Sequence, residues 1–140
     1  MTDIPESFHK VGLVGVIQGK DGRLLLGQRL KKDEAYGKWV FPGGGLKGEE
    51  TFEEGVKREC GEEVGLDIAI GDLIMATRSP HAGRMNVALI YFAYAEPNAV
   101  PKASDEIGSP QFFTWEEAYK LDLMPATKLV LDKILEKWGA

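Results

Sequence analysis

The sequence predicts an α+β domain in which a mixed β-sheet is sandwiched between α-helices, and three observations lead there. Short apolar and β-branched runs of strand length recur between residues 10 and 96, bounded by Gly, Asp and Pro. A helical pattern opened by Thr51 interrupts them. A second helical periodicity, carried by Leu129, Leu131, Ile134, Leu135 and Trp138, closes the chain.

Taken in order, Lys10 to Gln18 (KVGLVGVIQ) and Arg23 to Arg29 (RLLLGQR) read as two strands joined through Gly19-Lys20-Asp21-Gly22, a hairpin with an Asp-Gly turn. Trp39 to Phe41 is a shorter run, ended by a turn at Pro42-Gly43-Gly44-Gly45. Thr51 as N-cap, with Glu54 three residues on, makes a capping box for a helix that reaches Val64 and stops at Gly65. Ile68 to Arg78 and Arg84 to Glu96 read as strands with Ser79 to Gly83 as the turn between them, Pro97 to Gly108 as a loop, and Gln111 to Trp115 as the last strand. Helices over Glu116 to Leu121 and Ala126 to Trp138 follow.

The 140 residues suit one domain spanning 1–140, and 44% hydrophobic with 28% charged residues is a globular composition. The net charge of −5 opposes sequence-independent binding of nucleic acid, so an anionic ligand has to be met by a local cation or a metal. A single cysteine, Cys60, leaves no internal disulfide, and Met1 to Lys10 does not read as a signal peptide, which together point to the cytoplasm. The longest apolar stretch, Val87 to Ala95, is about half of a membrane span. Neither a membrane nor a nucleic-acid polymer is an expected partner.

Most acids of the first helix have local basic neighbours: Glu53 with Lys57, Glu54 with Arg58, Arg58 with Glu62. Glu59 and Glu63 have none three or four residues away. At 100° per residue, Glu62, Glu59 and Glu63 fall at about −60°, 0° and +40°, so three carboxylates share one stripe. The apolar stripe Phe52, Val56, Cys60 and Val64 runs beside it, which sets the acids at the edge of the face that docks on the sheet. Hard oxygen donors so crowded suit Mg²⁺, an ion usually shared between carboxylates and substrate phosphates. Upstream, Gly43-Gly44-Gly45 removes every Cβ where backbone could approach a metal or a phosphate.

These residues resemble the Nudix hydrolases. The family's box, G-x5-E-x7-R-E-U-x-E-E-x-G-U with U apolar, is matched by Gly44, Glu50, Arg58, Glu59, Cys60, Glu62, Glu63, Gly65 and Leu66. The lead-in Gly37 to Gly43 and the strand order on either side resemble the family too, so the likeness covers most of the chain. Cys60 is small for its slot, and Glu49 stands where Gly is frequent; neither change removes a chemical group.

The resemblance implies the Nudix fold and hydrolysis of a nucleoside diphosphate linked to a further group. It implies that Glu59, Glu62 and Glu63, with the Gly43 carbonyl, ligate Mg²⁺ (Mn²⁺ as substitute), and that Glu50 and Arg58 orient them. Glu62, Glu63 and Arg58 would thus be catalytic, and Gly44 would lie against the substrate. Arg29 resembles an arginine that reaches substrate phosphates in several relatives, the alternative being a surface salt bridge. In the loop before the last strand, Glu106 or Asp105 is a candidate for an extra ligand or base, with Glu106 favoured. Trp39 is read as packing, Cys60 as a buried hydrophobe, and His9 and His81 lack any zinc or nucleophile constellation. A (deoxy)nucleoside triphosphate giving a monophosphate and pyrophosphate is the favoured substrate. ADP-ribose or a related compound is the alternative, to which Pro80, 14 positions after Leu66, bears a family likeness; a non-catalytic nucleotide-binding module is another. The partner implied is a small-molecule nucleotide, and a homodimer is compatible with the sequence.

Overall fold

A computed structural model describes residues 10–81 and 84–138. Its elements are β1 (Lys10–Gln18), β2 (Leu24–Arg29), β3 (Trp39–Val40), β4 (Gly43–Gly45), α1 (Phe52–Val64), β5 (Ile68–His81), β6 (Arg84–Ala95), β7 (Ile107–Phe113), α2 (Trp115–Tyr119) and α3 (Pro125–Trp138). The sheet runs β3-β2-β1-β6-β5, with β4 added to β1 and β7 to β2.

Alternation along β1 explains the layering, because successive side chains of a strand point to opposite faces. Leu13 and Ile17 enter one core with Leu25, Tyr91 and Ala93, against Val56, Cys60 and Val64 of α1. Val16 enters the other with Leu24, Leu26, Ile90 and Phe92, against Val130, Leu131 and Ile134 of α3 and Ala118 of α2. The expected sheet between helices is therefore the fold observed. Cys60 is fully buried as a small hydrophobe, and a Cβ on Gly15 would lie 2.8 Å from its Sγ, so α1 rides close on β1. Burial pushes its thiol up to about 12, aided by the charges of Glu63 and Glu59. Trp39 packs edge-on against Phe113, as read.

Several boundaries differ from the sequence reading for identifiable reasons. The Asp-Gly turn forms, with Asp21 at φ 61° and Gly22 at φ 75°, but the strands it joins pair only at Gln18↔Leu24. Above that point β1 turns to β4 and β6, and β2 to β3 and β7. The glycine triplet is a strand, not a turn: Gly43, Gly44 and Gly45 lie opposite Val14, Leu13 and Gly12. Strand β5 continues through Pro80 to His81, with Pro80 opposite Met85, so Ser79 to His81 are not in the turn. The positions left for that turn, 82 and 83, lie outside the described residues, as does His9. Strand β7 starts at Ile107, inside the expected loop, and ends before Thr114, which instead caps α2 in a box with Glu117. Its start was masked by Ser109 (φ 50°) and Pro110, which form a bulge opposite Gly27 between the pairs Leu26↔Gln111 and Gln28↔Gly108.

Candidate active site

Helix α1 carries the site, and local chemistry fixes both its ends. The Thr51 hydroxyl accepts from the Glu54 N–H (3.1 Å) while Glu54 accepts from the Thr51 N–H (2.8 Å), and Gly65 closes the helix at φ 67°. Glu54 is thus spent on the cap rather than on Arg58, and Lys57 turns to Asp67 (3.7 Å) rather than to Glu53.

Arg58 becomes the hub. It grips Glu50 through Nε (2.9 Å) and Nη2 (2.6 Å), and donates through Nη1 to Glu59 (2.6 Å) and Glu62 (3.3 Å) and through Nη2 to the Gly45 carbonyl (2.9 Å). Such a two-pronged guanidinium–carboxylate pair is strong and directional. It holds the Glu50 carboxyl down at about 2, and the facing carboxylates raise the guanidinium further above its ordinary range.

Glu59 and Glu63 are each only 5% exposed, which is rare for glutamates unless something compensates them. Glu63 accepts from the Gly43 N–H at 2.7 Å. A Cβ at Gly44 would run into the Glu59 carboxylate, so the glycine strand forms a cradle against these acids. Glu106 reaches Glu63 from the loop before β7; burial, then this contact, raises the Glu63 carboxyl to about 9, while Glu106 is held below its usual range. Burial and the close approach of the two carboxyls thus favour one proton held by the pair. Lys31, Arg29 and Lys47 face Glu106. Glu62 is exposed.

The chemistry of this donor set fits a hard divalent cation: buried carboxylate oxygens beside bare glycine backbone. Among the described residues no three acids converge into a ready cage. Glu59 is turned to Arg58, and Glu63 to Gly43 and Glu106. Ligation requires those side chains to exchange these partners for the ion.

Two adjoining cavities meet at these residues. One of about 410 Å³ is lined by Glu59, Glu62, Glu63, Lys47, Asp105 and Glu106. The other, about 760 Å³, shares Gly44, Glu63, Asp105 and Glu106 with it and continues past Arg29 and Lys31 to Met75, Thr77, Ile90, Thr127 and Leu129. Arg29 pairs with Asp33 (2.7 Å) and also lines the larger cavity. Lys31, Lys47 and the wall from β5, β6 and α3 were missed by sequence reasoning. The lysines sit in polar connections, and the wall residues looked like ordinary core.

A family model described as "NUDIX domain" matches residues 8–134, and of the box residues Gly44 stands on β4 and Arg58, Glu59, Cys60, Glu62 and Glu63 on α1. The chain belongs to the Nudix family. Two curated relatives and one solved structure illustrate the likeness. A CTP pyrophosphohydrolase of Escherichia coli is 29% identical over 54% of this chain and 56% of its own length. An 8-oxo-dGTP diphosphatase of Proteus vulgaris is 34% identical over 59% of this chain and 72% of its own. The crystal structure of a MutT Nudix hydrolase from Burkholderia pseudomallei superposes with a TM-score of 0.73 at 30% identity, covering 89% of this chain and 97% of that one. This Nudix hydrolase thus acts on nucleotide-linked pyrophosphate. Of the residues expected at its site, Gly43, Gly44, Glu59, Glu62, Glu63, Arg58, Arg29 and Glu106 all gather around the two cavities, Arg58 through its contacts with Glu59 and Glu62. Among the described residues no helix is long and apolar enough to cross a membrane.

Proposed function

We propose that this Nudix hydrolase uses Mg²⁺ to hydrolyse (deoxy)nucleoside triphosphates between the α and β phosphorus atoms, releasing a nucleoside monophosphate and pyrophosphate. The observation that carries this reading is the continuity of the two cavities, which join buried carboxylates to a groove running past Arg29 and Lys31 to an uncharged wall. Their volumes lie in the ordinary range for a small-molecule site.

Glu59, Glu62 and Glu63, with the Gly43 carbonyl, would hold the ion, and the same oxygen set accepts Mn²⁺. Mg²⁺, when bound, neutralises charge on adjacent phosphates and lowers the pKa of water. Arg58, anchored on Glu50, stands beside Glu59 and Glu62 and orients them as Glu59 turns from it to the ion. Arg29 and Lys31 meet phosphate oxygens from the opposite rim, and Gly44 lets backbone approach them. Glu106 orients the attacking water and accepts its proton. The water oxygen bonds to phosphorus as the bridging P–O bond breaks and pyrophosphate departs. The setting implied is cytoplasmic and the partner a free nucleotide.

The test is a nucleotide panel, ADP-ribose included, run with and without Mg²⁺ and analysed by chromatography. Monophosphate plus pyrophosphate is expected, with turnover reduced by orders of magnitude in Glu62→Gln and Glu63→Gln. Orthophosphate with accumulating diphosphate would reject cleavage at this bond. Turnover of ADP-ribose alone would transfer the site to the other substrate class, and none at all would make it a binding module.

A further inference from the structure

Three residues of the segment between β6 and β7, Ser104, Asp105 and Glu106, line the smaller cavity. Glu59, Glu62 and Glu63 take their places from a helix, whereas Glu106 has only this segment to place it. The segment is tied at two points to elements that carry the site. The Lys102 N–H donates to the carbonyl of Val64, the last residue of α1 (2.8 Å), and the Leu30 N–H, one residue past Arg29 of β2, donates to the Glu106 carbonyl (2.9 Å). Between these ties neither helix nor strand fixes the backbone, so a side chain has to do it.

Ser104 does so. Its Oγ accepts from the Glu106 N–H (3.3 Å) and from the Ile107 N–H (3.2 Å), and its own N–H donates to the Ile107 carbonyl (2.9 Å). A hydroxyl oxygen has two lone pairs and can accept both bonds. Ile107 is the first residue of β7 and lies opposite Arg29, so the bonds act where loop becomes strand. Glu106 is thereby held on both sides of its Cα, by Ser104 at its N–H and by Leu30 at its carbonyl, while its exposed side chain is left to reach Glu63. Asp105 makes no such backbone tie among the described residues, which separates the two acids of this segment.

We infer that Ser104 is the positioning residue for Glu106: its hydroxyl sets the backbone from which that carboxylate reaches the attacking water. This deepens the role proposed above for Glu106 and rests on it. Ser104 acts through Glu106 and on no reacting atom. Without the hydroxyl the Glu106 N–H loses its tie, and a carboxylate on a loose loop is misplaced by amounts that matter to a water-orienting group. A serine that only completed a turn would alter the melting temperature and leave the chemical step alone.

The experiment is a double-mutant cycle in steady-state kinetics, on whichever nucleotide of the panel is turned over, with Ser104→Ala, Glu106→Gln and the two combined. Ser104→Ala should lower kcat by a factor on the order of 3–10, the worth of a neutral hydrogen bond, with KM almost unmoved. Ser104→Thr, which keeps the hydroxyl, should restore kcat. In the Glu106→Gln background Ser104→Ala should cost nothing further, because the group it positions is already disabled. An unchanged kcat, a loss confined to KM, failure of Ser104→Thr to restore it, or the same loss in both backgrounds would each overturn the inference. Should Ser104→Ala fail to fold, Ser104→Cys, similar in shape but a weak acceptor, takes its place in the cycle. Parental turnover in Glu106→Gln would sink the role of Glu106 itself and this inference with it. A disabled Glu106→Gln beside an additive Ser104→Ala would sink the inference alone.

Discussion

At the scale of single residues, the proton shared by Glu63 and Glu106 makes metal binding a titration. With the Glu63 carboxyl raised by burial and by Glu106, the metal-free pair favours holding a proton that a ligand carboxylate must lose. Mg²⁺ binding at pH 7 should therefore release close to one proton, measured as a dependence of calorimetric heat on buffer ionisation enthalpy. The release should fall away in Glu63→Gln; if it is the same in that variant, the proton comes from elsewhere. The same shift has a consequence for stability in the absence of metal. A folded pKa raised above the unfolded one gives stability that is complete below about 4.5 and lost as pH rises through about 9. Glu59 and Glu63 were legible in the sequence because no base stands one helical turn away. The grip of Arg58 on Glu50 was not, because it spans eight residues and leaves the helix, and periodicity speaks only of neighbours on one face.

At the scale of elements, the glycine strand separates two functions that neighbouring residues serve. A Cβ at Gly43 would press on the Leu13 carbonyl and lie 3.0 Å from the Val14 Cα, both backbone, whereas one at Gly44 meets only the end of the Glu59 side chain. Gly43→Ala should thus disturb the β1–β4 pairing and lower the melting temperature. Gly44→Ala should melt near the parent but displace Glu59 and cut turnover by at least about tenfold, since small misplacements at a site are costly. Thermal melts beside steady-state kinetics check this, and equal effects of the two changes would refute the separation. The strand itself was illegible as such: three glycines carry turn chemistry by propensity, and only the close approach of β1 and α1 shows why nothing larger fits at Gly43 and Gly44. The start of strand β7, before Gln111, was hidden in the same way, since Pro110 demotes a strand reading unless a bulge relieves it of its hydrogen bond.

At the scale of the whole molecule, a protein of net charge −5 that buries two glutamates should gain stability from the cation it binds. An ion that binds only the folded state contributes about 2.7 kcal/mol at a hundredfold excess over Kd. For a domain of this size that corresponds to a rise in Tm of roughly 5–10 °C, and to a smaller one in Glu59→Gln. A melting curve indifferent to millimolar Mg²⁺ would show that these acids hold no metal without substrate. The two-sided layering could be read from alternation and helical periodicity, which are local. Strand order could not, because it depends on which distant segment β1 chooses, and that choice gives its parallel pairing a further meaning. The partner of Lys10 is Asn86 and that of Gln18 is Tyr94. On the ribosome, at about 5–20 residues per second, β1 waits roughly 4–15 s for β6 to be made. Throughout that interval Leu13, Val16 and Ile17 have no finished layer to enter, and the nascent chain is at its most dependent on chaperones.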